Sequence, residues 1–115
     1  MNNKLLLIVQ HIVLRTSLAW LLIAEGYVVF RHNSLETAKS LGNGTRDFSL
    51  VIVRDSGFRP AEVIALRELL KPMGIKMLVI ATFPDDYGED KGFGVIPSPH
   101  RPAELLTKIE SLLTE

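Results

Sequence analysis

The chain has 115 residues, with thirteen Lys and Arg balancing thirteen Asp and Glu, and no Cys. That length suits one domain spanning 1–115, and 47% hydrophobic residues are enough to build its core without staples. Charge neutrality argues against a nucleic-acid or anionic-membrane partner. The lack of Cys excludes a disulfide scaffold, thiolate metal sites and Cys nucleophiles, and it suits a cytoplasmic protein.

The first apolar run, Leu5 to Val9, is too short for a signal-peptide core and has no cleavage site after it. It reads as a strand covered on both faces, because it does not alternate with polar residues. Val13 to Glu25 is predicted to be a helix stopped by Gly26. Its inward positions are expected to be Val13, Ser17, Leu18, Leu21 and Leu22. Tyr27 to Phe30 is a second strand. Ser34 caps a short helix, Leu35 to Leu41, before the turn Gly42-Asn43-Gly44.

Leu50 to Val53 is a third strand. Pro60 opens a helix over Ala61 to Leu70, which Pro72 and Gly74 close. Met77 to Ala81 and Val95-Ile96 are the fourth and fifth strands, and Pro102 opens a last helix, Ala103 to Leu113. The alternation predicts an α/β three-layer sandwich. Its five-stranded parallel sheet has helices on both faces and strand order 2-1-3-4-5. A fourth helix has no room. Between Thr82 and Gly94 lie only the residues from Phe83 to Phe93, which include Pro84, Gly88 and Gly92, so a loop or a single turn is expected there.

The residues at the carboxyl ends of such strands decide function. The stretch from Lys4 to His11 and on through Arg15 to Tyr27, the strand Ser49 to Arg54, the pair Ala81-Thr82 and the segment Ser98 to Leu105 follow one another in a familiar order. Together they resemble the receiver domain of bacterial response regulators, over essentially the whole chain. The resemblance implies the flavodoxin-like receiver fold and a role in two-component signalling.

Receiver phosphotransfer uses an acidic pair that holds Mg²⁺, an Asp that accepts the phosphoryl group and a Lys that neutralises developing charge. By the same resemblance, these places fall on Val9 and Gln10, on Arg54 and on Ser98. Thr82 takes the place of the switch hydroxyl. Val9 has no oxygen to offer a cation, and Arg54 puts a fixed positive charge where the acceptor belongs. Asp55 lies one residue late, and neighbours on a strand face opposite sides, so its carboxylate is expected to point away unless the strand ends early. The chain therefore reads as a pseudo-receiver: no enzyme, no resident cofactor or metal, and a signalling protein or a second copy as its partner. It could also be a piece of a larger regulator.

Arg54, Gln10, Thr82 and Ser98 are expected to converge on one pocket. Arg54 there either binds an anionic ligand or pairs with Asp55, Glu62 or a backbone carbonyl. Unconventional phosphorylation of Asp55 is a further alternative. On the first helix, Thr16, Trp20 and Ile23 share a stripe where receivers generally carry charge. That stripe is either an exposed apolar contact patch, or Trp20 folds over the sheet edge or onto the last helix.

Other motifs carry less weight. His11 sits in the first strand–helix loop, as the phospho-accepting residue does in phosphocarrier subunits of the sugar phosphotransferase system, but nothing else supports that reading. Asp85, Asp86, Glu89 and Asp90 lack EF-hand spacing and read as a solvated acidic loop. Asn43-Gly44-Thr45 fits a glycosylation pattern without meaning in a cytosolic protein. Gly42-x-Gly44 lacks the rest of a dinucleotide fingerprint.

Overall fold

A computed structural model describes residues 3–40 and 47–115. The end of the second predicted helix at Leu41, the turn Gly42-Asn43-Gly44 and the Asn43-Gly44-Thr45 pattern lie outside the described residues. The elements run β1 (Lys4–Ile8), α1 (Ile12–Ala24), β2 (Val28–His32), α2 (Leu35–Ser40), β3 (Leu50–Arg54), α3 (Pro60–Leu70), β4 (Lys76–Ala81), β5 (Phe93–Pro97) and α4 (Pro102–Leu113). The strands form one parallel sheet in the expected order β2-β1-β3-β4-β5.

Each strand feeds two cores, because successive side chains alternate across the pleat. Leu6, Ile8, Val51, Val53, Met77 and Val79 pack beneath α2 and α3. Leu5, Leu7, Leu50, Ile52, Leu78 and Ile80 pack beneath α1 and α4. This double covering is why β1, β3 and β4 are unbroken apolar runs.

Local chemistry starts the helices where the sequence indicates. The Ser34 hydroxyl accepts the Glu36 N–H at 3.1 Å. Pro60 and Pro102 occupy the first helical positions of α3 and α4, where a missing N–H costs nothing. The Glu62 carboxylate folds back to accept the Arg59 N–H at 3.0 Å. Strand ends differ from expectation by a few residues, most at β5, which runs from Phe93 to Pro97.

The orientation of α1 corrects the sequence reading. Val13 is 62% exposed and Ser17 is also exposed, while Leu18, Ala19 and Leu22 are buried. The inward arc begins with Arg15, whose guanidinium donates to the carbonyl of Val9 at 2.8 Å. Positions 15, 18, 19 and 22 then face the sheet at i, i+3, i+4 and i+7. A helix that is apolar almost all round has no hydropathy contrast to set its phase, so a polar tether sets it instead.

Between β4 and β5, where a loop or a single turn is expected, the chain makes one 3-10 turn, Pro84–Asp86. Tyr87 follows it and closes over the sheet on the α3 side, joining the core of Val53, Val63, Val79 and Ala81.

Candidate functional site

The carboxyl ends of β1, β3, β4 and β5 bring the predicted residues to one edge of the sheet but divide them between its two faces. Arg54 continues the parity of Leu50 and Ile52 and faces the α1–α4 side. Asp55 continues the parity of Val51 and Val53 and faces the α3 side. The predicted single pocket of Arg54, Gln10, Thr82 and Ser98 is therefore two pockets. The pleat separates Arg54 and Ser98 from Gln10, because one residue along a strand reverses the face, whereas Thr82 lies just past the end of β4 at Ala81 and turns to Asp55.

On the α3 side, Asp55 is buried, with 6% of its surface exposed. The Thr82 N–H and hydroxyl donate to its Oδ1 at 2.9 and 3.1 Å. The Tyr87 hydroxyl donates to its Oδ2 at 2.8 Å. The carboxylate does point away from Arg54, as expected, and the strand does end at Arg54. Its destination was not foreseen. Asp55 ties the end of β4 to the loop that replaces the missing helix. Tyr87 is a member of this cluster that the motif reading missed. The available signal was a lone aromatic hydroxyl inside an acidic, Gly-punctuated loop.

Burial, the hydrogen bond to Asp55 and the negative charges of Asp55 and Asp86 push the Tyr87 phenol well above its ordinary pKa of 10.0. A cleft of about 270 Å³ opens beside Asp55 and Thr82, lined also by Gly57, Phe58 and Phe83. Gln10 belongs to this side. Its side-chain amide lies over Gly57, leaving no room for a Cβ there, and Gly57 has φ +92°.

On the α1–α4 side, Arg54 and Ser98 line a second cavity of about 470 Å³ with Leu14, Ser17, Leu18 and Leu21 of α1 and His100 of the β5–α4 loop. Arg54 does not pair with Asp55 or Glu62, contrary to one of the sequence alternatives. Asp55 is taken by Thr82 and Tyr87, and Glu62 by the N-terminus of α3. Among the described residues the Arg54 side chain has no ion pair or hydrogen bond.

Val9 is fully buried in the core on the α1–α4 side and presents only methyl groups. The β1–α1 loop carbonyls of Val9 and Gln10 receive the Arg15 guanidinium. His11 is exposed at the start of α1 and makes no side-chain cap bond. In the acidic loop, Glu89 pairs with Lys108 at 2.6 Å, and Asp90 pairs with Arg67 and Lys71. The hydrogen bond from the Lys91 N–H, then Lys71, hold the Asp90 carboxyl below its ordinary value.

Trp20 is 67% exposed and Ile23 47% exposed, with Thr16 half-buried beside them. Trp20 does not fold over the sheet edge or onto α4. Arg15 is the only ionisable residue of α1 and is turned inward, so the outward face of this helix carries no charge.

No family model matches the chain, and no curated protein sequence matches it. Solved structures do. A protein of Burkholderia pseudomallei described as pilus assembly-related superposes with a TM-score of 0.79 at 17% identity, covering 98% of this chain and 90% of that one. A CheY-like response regulator receiver domain from Methylobacillus flagellatus gives 0.74 at 19% identity, over 97% and 99% of the two chains. An orphan response regulator of H. pylori gives 0.70 at 25% identity, over 96% and 95%. The fold is that of the CheY-like receiver domains.

Proposed function

We propose that this chain is a pseudo-receiver, a signalling module that acts by protein–protein contact without phosphotransfer. One observation carries the reading. Arg54 stands where the acceptor carboxylate belongs, and the neighbouring carboxylate, Asp55, is buried with both oxygens engaged. A phosphoryl acceptor must present a free oxygen in line with the donor, and the divalent cation beside it needs oxygen ligands. Asp55 presents neither the exposure nor the free oxygen, and Val9 supplies no ligand. The receiver folds among its structural neighbours support the signalling half of this reading. The contact face is the outward side of α1, around Thr16, Trp20 and Ile23, which suits the apolar surface of a protein partner.

The decisive experiment is incubation of the full chain with acetyl phosphate and Mg²⁺, followed by intact-mass measurement. No gain of a phosphoryl group is expected. A gain that disappears in Asp55→Asn would overturn the proposal in favour of unconventional phosphorylation at Asp55.

A further inference from the structure

The cavity beside Arg54 has a composition that calls for a particular kind of occupant. Its α1 wall is Leu14, Leu18 and Leu21, and the opposite wall is the β5–α4 loop with Pro99 and Pro102. The polar groups on its lining are few: the Arg54 guanidinium, the hydroxyls of Ser17 and Ser98, and the His100 ring. No acidic side chain lines it. Arg54 is half-buried and has no counter-ion among the described residues.

A partly desolvated guanidinium keeps five donors that water can only partly serve. A carboxylate matches two of them in one planar contact. The surrounding leucines and prolines offer no hydrogen bonds, so they suit a hydrocarbon body and not a sugar or a nucleotide. The volume of about 470 Å³ lies in the range of small-molecule sites, roughly 300–1,000 Å³.

We infer that this cavity binds a small amphipathic organic acid, with its carboxylate on Arg54 and its apolar body along α1. The site is separate from the Asp55 cluster. It also stands apart from the contact face, because Leu14, Leu18 and Leu21 lie on a different flank of α1 from Trp20. Loss of this site leaves the pseudo-receiver reading untouched.

Octanoate is the probe, titrated into the full-length chain and followed by calorimetry and by two-dimensional NMR. Octanol serves as the apolar body without charge, and inorganic phosphate as charge without the body. Saturable octanoate binding is expected, with shifts at Leu14, Ser17 and Ser98. Octanol and phosphate should each bind at least about tenfold more weakly, the loss expected when a charge-assisted contact or its apolar anchor is removed. Arg54→Met should lower octanoate affinity by about tenfold or more, and Ser17→Phe should abolish binding by filling the cavity from an exposed helix position. Circular dichroism of both variants checks that they fold. The inference fails if octanoate does not bind at millimolar concentration, if octanol binds as tightly, or if Arg54→Met leaves the affinity unchanged.

Discussion

At the scale of single residues, the position one step after Arg54 acquires a structural role. A carboxylate on the α3 face meets two donors from Thr82 and one from Tyr87. Charge-assisted hydrogen bonds to a buried group are among the stronger ones, and leaving such donors unmet costs more than the bond is worth. Asp55→Ala is therefore expected to lower stability by about 2–3 kcal/mol, and Tyr87→Phe by about 1–2 kcal/mol. The two changes break the same contact, so the double variant should lose less than the sum. Urea unfolding of the four proteins measures this. Strict additivity would mean that Asp55 and Tyr87 are not coupled and that the loop after β4 is held some other way. The position of Asp55 was readable from sequence, and so was the side it faces. Its partners were not, because Tyr87 sits 32 residues away in a loop without periodicity.

At the scale of elements, α1 shows both what patterning reveals and where it stops. Its existence, length and stop at Gly26 were legible, since thirteen apolar-rich residues end at a residue with φ +95°. Its rotation was not, because an apolar surplus hides which face is inward. The Arg15 contact with the Val9 carbonyl resolves it, and that contact belongs to tertiary structure. The strands were easier, because burial on both faces makes rotation irrelevant to composition. The pocket was misread for a related reason. Strand-end residues adjacent in sequence were gathered into one site, although the pleat sends Arg54 and Asp55 to opposite faces. The rotation of α1 leaves Trp20 and Ile23 outward. Surface substitutions away from the core usually shift stability within about 0.5 kcal/mol. Trp20→Ala combined with Ile23→Glu should accordingly keep the thermal midpoint close to wild type. In parallel affinity captures from the source cell, a protein retained by the wild type should be lost by the double variant. Equal recovery of that protein with both would remove α1 from the proposed interface.

For the whole molecule, the two tyrosines make folding sensitive to alkaline pH in a predictable direction. Tyr87 is held neutral by burial, by its hydrogen bond to Asp55 and by the charges of Asp55 and Asp86. Tyr27 is shifted the same way by burial, Glu110 and Glu25. Both phenols thus ionise at higher pH in the folded chain than in the unfolded one, whose value is near 10.0. Below that value both states are protonated and the stabilisation is fully present. Above it the unfolded chain releases protons that the folded chain retains, so stability declines as pH rises toward the folded pKa. The largely buried Tyr87 can contribute a slope approaching about 1.4 kcal/mol per pH unit, and Tyr27 adds to it in the same direction. Because Tyr87 also closes the loop where a helix is missing, its ionisation acts on the packing between β4, β5 and α3. Unfolding free energies measured across alkaline pH should fall for the wild type. The Tyr87→Phe variant should start lower at neutral pH and fall less steeply, so that the two curves approach each other. Parallel curves would show that the alkaline decline comes from other groups, and that the Asp55–Tyr87 contact does not couple the β4–β5 loop to global stability.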